Sequence, residues 1–281
     1  MRNHEIAIQG SVSSFHDLAA KKYFGEAITI NECGSFKEVC QKIENNEVDY
    51  GIIAIENKVA GSILLNYLLI EQYNLHIIGE TYLPIELHLL GKKGSKLSDI
   101  KEVVSHPMAL GQSQIFLADH NHIAVSEYKD TATCAKLVEE DTSGQTAVIG
   151  GAALLNSYDL EILAEKVSDV QTNFTRFYIL SKGKDYVSDP NKGSVTMQIN
   201  NEPGKLSEVL QVINKYGFNL SKIQSLPIPY KSNVYPFHFD FEFDNKQEFE
   251  KCLTELEGIV ESLMVLGIYK SELLSEAVEK K

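Results

Sequence analysis

Two adjacent side chains, Thr175 and Arg176, carry chemistry that is easy to name. They lie in the run Asn173-Phe174-Thr175-Arg176-Phe177. The chain has 26 lysines plus arginines, yet only Arg2 and Arg176 are arginines. Lysine supplies the positive surface, so an arginine at an interior position is less incidental. A guanidinium is a planar fork that fits a carboxylate, which an ammonium cannot imitate. Two readings stand side by side: Arg176 clamps a substrate carboxylate, or it holds a strand end in a structural ion pair.

Other polar groups fall at the carboxyl ends of expected strands, where open α/β sheets bind ligands. The loop Gly10-Ser11-Val12-Ser13-Ser14 precedes a helix whose amides suit an anion; an ordinary turn is the commoner alternative. Glu56-Asn57 ends a strand, and helix capping explains either residue alone. In Ser105-His106-Pro107 the histidine is a donor or a satisfied structural group. Asp130-Thr131 reads equally as a helix cap.

The elements that must position these groups alternate strand and helix over the first 180 residues, which implies an α/β domain with a largely parallel sheet. Strands are expected at 5–9, 50–55, 75–78, 85–90, 102–104, 123–125, 147–149 and 177–180. Helices are expected at 15–23, 61–73, 108–117, 131–139 and 151–155, with another opening at the capping box Ser35-Phe36-Lys37-Glu38. A linker of glycine, proline and charges follows at 183–192. Beyond it the pattern reads strand, helix, strand, strand, helix, strand, the βαββαβ order of a ferredoxin-like module. Its first helix, 204–216, is entered through Pro203 and stopped by Gly217. Residues 272–281 read as a solvated tail.

Composition narrows the function class. With 281 residues, 43% hydrophobic, the chain can build a large and a small domain, each with its own core. The net charge of −13 repels phosphate backbones, so nucleic acid is not an expected partner. No apolar run is long enough for a bilayer, and the N-terminus lacks a signal-peptide core. A cytoplasmic protein is expected, with Cys33, Cys40, Cys134 and Cys252 as reduced thiols. There is no P-loop, Gly-x-Gly-x-x-Gly, His-Glu-x-x-His or Gly-x-Ser-x-Gly. Asp119-His120-Asn121-His122 lacks further ligands, so no metal is expected.

Five blocks in register resemble prephenate dehydratase joined to an ACT domain. Asn173-Phe174-Thr175-Arg176-Phe177 matches the family signature, with Asp169 upstream. Asp49-Tyr50-Gly51, Ile55-Glu56-Asn57 and Gly61-Ser62 match a second block, and Pro84-Ile85-Glu86-Leu87-His88 a third. Ser105 to Gln112 resembles the Ser-His-Pro-Gln-Ala-Leu-x-Gln block, and Asp130-Thr131-Ala132 the Ser-Thr-Ala block.

The resemblance implies a two-lobed, periplasmic-binding-protein-like catalytic domain at 1–182, with its site in the cleft, and an ACT regulatory domain at 193–271. It implies a homodimer or homotetramer with no metal and no organic cofactor. The implied reaction converts prephenate to phenylpyruvate, losing carbon dioxide and water. Aromatisation drives it, so the protein must hold two carboxylates and help hydroxide leave. Thr175 then suits donation to the leaving oxygen and Arg176 a carboxylate clamp. Ser14, Asn57, Ser105, Gln112, Thr131, Asn173 and Phe177 are the implied substrate-binding residues.

This chain departs from the family pattern at Ser13, where a glycine is expected, at Ser14 in place of threonine, and at Lys58 in place of serine. The implied effector is L-phenylalanine, bound between Gly204-Lys205-Leu206-Ser207 and Gln224-Ser225-Leu226-Pro227. Gly204, Leu206, Gln224, Ser225, Leu226 and Pro227 are its candidate contacts. Gln224 and Leu226 replace the two charged residues of that motif, which lowers the expected affinity. Alternatives are an arogenate dehydratase, a catalytically silent amino-acid sensor with the same cleft, and a solute-binding protein.

Overall fold

The computed structural model describes residues 3–128, 131–184, 187–226 and 234–272. Asp130, Pro227 and the tail from 273 onward lie outside them.

The first lobe is built from β1 (His4–Gln9), α1 (Phe15–Phe24), β2 (Ile28–Cys33), α2 (Phe36–Glu44), β3 (Tyr50–Asn57), β4 (Gly61–Ser62), α3 (Leu64–Gln72) and β5 (His76–Pro84). Ser14 caps α1 and Ser35 caps α2, each accepting from the amide three residues on. The chain then crosses to a second lobe: β6 (His88–Lys92), β7 (Glu102–Ser105), α4 (Pro107–Gly111), α5 (Gln114–Asp119), β8 (Ala124–Glu127), α6 (Thr131–Glu140), β9 (Thr146–Gly150) and β10 (Leu160–Ala164). It returns through β11 (Phe174–Ser181), which inserts between β3 and β5.

The sheet orders are β2-β1-β3-β11-β5 and β10-β6-β9-β7-β8. The expectation of a largely parallel sheet needs correction. β1 pairs in parallel with β2 and β3, and β7 with β8 and β9. β11 is antiparallel to both its neighbours, and so is β6. The reason is topological: β5 leaves the first lobe and β11 re-enters it, so they run in opposite directions side by side. Other differences are local. The helix expected at 108–117 is two short helices broken near Gln112, and the strand expected at 85–90 begins at His88. β2 and β10 were not anticipated.

The C-terminal module runs β12 (Lys192–Asn200), α7 (Lys205–Lys215), β13 (Asn219–Ser225), β14 (Val234–Glu242), α8 (Lys246–Glu257) and β15 (Ser262–Tyr269). Its sheet order, β13-β14-β12-β15, is that of a ferredoxin-like βαββαβ unit. Gly204 and Gly217 flank α7 with φ of 91° and 72°, in the region that favours glycine.

One face of this sheet carries its own core under α7 and α8, including Val195, Met197, Phe239, Phe241 and Phe249. The other face does not. Leu226, Leu266 and Tyr269 join the first lobe's Ile53, Ile55, Tyr67, Ile77 and Tyr178 in one cluster. Each domain therefore has a core of its own, as expected, and the two share a further one at the seam. Contact is close enough to require a glycine: a Cβ on Gly267 of β15 would lie 2.0 Å from the carbonyl oxygen of Ile77 on β5. Glu272, the first residue of the expected solvated tail, instead accepts from the Thr81 hydroxyl at 2.7 Å and the Tyr82 amide at 2.9 Å.

Candidate active site

Strand periodicity sends alternate residues of β11 to opposite faces. Phe177 packs with Ile6, Ile8, Ala19 and Ala20 on the α1 side. Tyr178 packs on the side of the C-terminal module. Thr175 shares the parity of Phe177, and Arg176 that of Tyr178. The two residues that sequence reasoning placed together in one site therefore point apart.

Arg176 is buried and fully partnered. Its Nε donates to Glu80 at 2.7 Å and its Nη1 to Asp240 of β14 at 2.6 Å. Its Nη2 also pairs with Glu80 and donates to the Tyr269 hydroxyl at 3.3 Å. Lys192 adds a bond to Glu80 at 2.9 Å. Two cations thus face two carboxylates, wrapped by Tyr178, Ser194, His238 and Tyr269. Burial pushes the Asp240 carboxyl up, but Arg176, with His238 and Lys192, overrides it and holds the group well below the usual carboxylate range. The clamp reading of Arg176 is corrected: of the two readings its rarity allowed, this geometry is the structural ion pair.

Thr175 meets Asn57 at the mouth of β3. The register explains how: Arg176 pairs with Glu56 and Phe177 with Ala54, so Ile55 is an extra residue, a β-bulge. The bulge reverses the parity of β3 beyond it, turning Glu56 to the rear and Asn57 to the face of Thr175. The Asn57 amide is oriented without ambiguity. Its Oδ1 accepts from the amides of Val59 at 3.0 Å and Ala60 at 2.9 Å, so its Nδ2 must face the threonine. That Nδ2 donates to Thr175 Oγ1 at 2.9 Å. Thr175 therefore accepts there and keeps its own proton to donate.

Asn173 lies where β11 enters from the second lobe. Its Nδ2 donates to Gln112 Oε1 at 3.0 Å, while its buried Oδ1 has no partner. Gln112 is held in turn: its carbonyl accepts from the Asp169 amide at 2.7 Å, and the Asp169 carboxylate caps α5 through the amides of Gln114 and Ile115. Lys58 reaches Thr172 at 3.2 Å, beside this crossing.

The remaining expected residues divide. Ser14 and Thr131 begin α1 and α6 on facing lobes. Ser13 has φ of 68°, in the region that favours glycine, and its hydroxyl meets Ser157 of the second lobe at 2.7 Å. Nothing in the sequence marked Ser157. A cavity of about 380 Å³ opens at this end of the cleft, lined by Gly10, Ser11 and Glu32 from one lobe and Ala132, Thr133 and Lys136 from the other. Ser105 is corrected to a sheet brace, donating to the Ile149 carbonyl at 2.6 Å. Phe177 is corrected to a core residue, 1% exposed. His106 caps α4 through the Met108 amide.

The expected effector residues part across the module's sheet. Leu206 packs into the helical-side core and Leu226 into the core shared with the first lobe. Leu226 is thus corrected from a ligand contact to a seam residue. Gln224 folds onto the Ser225 carbonyl at 2.9 Å, Gly204 opens α7, and Pro227 lies outside the described residues.

Comparison with known proteins follows the same outline. A family model for prephenate dehydratase matches residues 6–185. The bifunctional chorismate mutase/prephenate dehydratase of Aquifex aeolicus is 32% identical over 274 residues, 97% of this chain and 75% of that protein. The prephenate dehydratase of Methanocaldococcus jannaschii is 31% identical over 263 residues, 91% of this chain and 94% of that protein. Among solved structures, one described as a novel type of quorum quenching acylase superposes with a TM-score of 0.85 at 26% identity, covering 97% of this chain and 99% of that one. The prephenate dehydratase of Arthrobacter aurescens in complex with L-Phe superposes with a TM-score of 0.83 at 24% identity, covering 95% and 90%.

Proposed function

Because this chain belongs to the prephenate dehydratase family, we propose that its interlobe cleft converts prephenate to phenylpyruvate, carbon dioxide and water, with Thr175 donating to the departing hydroxide. The observation that carries this role is the fixed orientation of Asn57, which occupies a lone pair of Thr175 Oγ1 and leaves the hydroxyl proton free. A hydrogen-bond donor aimed at a developing negative charge is what a leaving hydroxide needs. The same arrangement is the reverse of an activated nucleophile, in which a base would take the hydroxyl proton. It therefore favours the lyase reading over acyl transfer.

Asn173 Oδ1 offers an acceptor beside that donor. With Arg176 spent elsewhere, Lys58 at the crossing and Lys136 on the cavity wall are cations placed to meet the two substrate carboxylates. Ser14 and Thr131 bound the cleft from opposite lobes. The C-terminal module serves as an ACT regulatory domain for L-phenylalanine, with Gly204, Gln224 and Ser225 as candidate contacts. The chain works as a homodimer or homotetramer, which light scattering after size exclusion will decide. A cytoplasmic setting suits its four buried thiols, none of them in a disulfide.

The test is direct. Prephenate is supplied to the purified full chain and phenylpyruvate is followed by absorbance in alkali, with and without L-phenylalanine. Thr175→Ala should lower kcat by roughly 100- to 1,000-fold, the cost of losing one such donor, while Thr175→Ser retains most of it. Undiminished turnover in Thr175→Ala sinks the assigned role. An unchanged rate at saturating L-phenylalanine sinks the regulatory reading and leaves the enzyme.

A further inference from the structure

The rear faces of β3 and β11 carry a second pair directly behind the catalytic one. Glu56 and Arg176 are cross-strand partners in the catalytic sheet, adjacent in sequence to Asn57 and Thr175. Across the seam, Lys222 of β13 and Asp240 of β14 are cross-strand partners in the module's sheet. The two pairs meet charge to charge. Arg176 Nη1 lies 2.6 Å from Asp240, and Lys222 Nζ lies 2.8 Å from Glu56. Lys222 also donates to Ser62 at 2.7 Å, on the short strand that pairs with Glu56. The result is a square of alternating charge, with two corners on each sheet.

Both sheets need a bulge to build it. Ile55 is skipped on β3, and Ser221 is skipped on β13 between the Leu220–Phe241 and Lys222–Asp240 pairs. Each bulge fixes the parity that sends its charged residue into the seam. Without the first, Glu56 would face the α1 side and Asn57 would leave Thr175.

We infer that Lys222 and Glu56 are positioning residues for the reaction: the charge square fixes the bulged end of β3 against β11, and thereby the Asn57–Thr175 hydrogen bond from which the hydroxyl proton is presented. This rests on the role assigned to Thr175 above.

Lys222 is the corner to change, because it lies near the rim of the seam, whereas Arg176 and Asp240 are wholly buried. In the full chain, Lys222→Met should lower kcat by roughly tenfold with KM for prephenate within about twofold, since small misplacements of a catalytic group are costly. Lys222→Arg should restore most of the rate. Glu56→Gln combined with Lys222→Met should be no worse than Lys222→Met alone, because both remove one link. The decisive background is Thr175→Ala, in which Lys222→Met should leave the residual rate unchanged. Unaltered kcat in Lys222→Met overturns the inference, as does an equal loss with and without Thr175, which would mark a purely structural effect. Glu56→Gln gives the same reading should Lys222→Met fold poorly. If Thr175→Ala alone is fully active, the site assignment has failed, and the kcat of Lys222→Met still reports separately on the seam.

Discussion

Two seams divide this molecule, and they are built on different principles. Between the catalytic sheet and the C-terminal module, Arg176, Lys192 and Lys222 balance Glu56, Glu80 and Asp240, a common hydrophobic cluster fills the gap, and one backbone approaches another where Gly267 has no side chain. Between the two lobes, contact rests on polar bridges such as Ser13 with Ser157 and Asn173 with Gln112, and on Phe15, which packs against the cores of both lobes, beside a cavity of about 380 Å³. The first seam pairs each of these charges with an opposite one, although Tyr67 Oη, Thr196 Oγ1 and His238 Nδ1 are buried there without a partner. The second leaves valences open, among them the proton of Thr175 and the Oδ1 of Asn173. A site that binds and releases substrate needs the second kind, and a surface that must hold its register needs the first.

The largest break should come from the charge-paired seam. Asp240→Asn leaves Arg176 buried with one carboxylate fewer and should cost about 3–5 kcal/mol in urea unfolding at neutral pH. The sign with pH is fixed by the depressed Asp240 carboxyl. Its contribution is full above the unfolded value near 4 and is lost as pH falls toward the lower folded value. Acid titration of wild type should therefore show a loss of stability below about pH 4 that Asp240→Asn lacks.

The cleft side of β11 offers the next test. His16 sits between Phe36 and Phe177 with its Nε2 buried and unpartnered, and burial lowers its pKa from 6.5 to about 4. The folded state thus holds the neutral ring while the unfolded chain takes up a proton. Stability should fall by up to about 3 kcal/mol as pH drops from 6.5 to 4, and His16→Leu should flatten that slope. Thermal unfolding across this range checks it.

Gly267→Ala puts a methyl group against the Ile77 carbonyl and should cost about 1–3 kcal/mol, read as a lower Tm and faster cleavage of the 183–192 segment under limited proteolysis. The smallest effect belongs to the soft seam. Ser157→Ala removes one hydroxyl bridge and should cost about 1 kcal/mol or less, with the change appearing in KM for prephenate rather than in Tm. If Ser157→Ala proves more damaging than Gly267→Ala, the contrast between the seams is wrong.

Much of this was legible in the chain. Binary patterning and turn residues gave the order of most elements, and the ferredoxin-like module was readable from Val195 onward because β12 and β14 alternate apolar and polar residues and its elements follow the βαββαβ order. Asn57, Thr175, Asn173 and Gln112 were marked by their motifs and do assemble. The direction of Arg176 was not legible. Strand parity decides it, and a motif quoted as a string conceals that neighbours in a strand face opposite ways. The bulge at Ile55 hid the pairing of Glu56 for the same reason, since register is set by the partner strand. Lys192 read as linker because a buried lysine is rare without partners, and its partner Glu80 lies 112 residues away. A motif comparison sets Leu226 against a charged residue, whereas its surroundings are Leu266, Tyr269 and the first lobe.

The bare backbone contact at Gly267 bears on how such proteins can be rebuilt. A C-terminal module joined by a linker invites exchange, as though it were a cassette. Here the donor would have to bring a residue without a side chain at the point facing Ile77, a carboxylate opposite Arg176 and an apolar plug where Leu226 sits. A chimera that matches the fold of the module but not these three positions would leave a charged, half-covered sheet on the catalytic unit. Its fate would be aggregation rather than altered control.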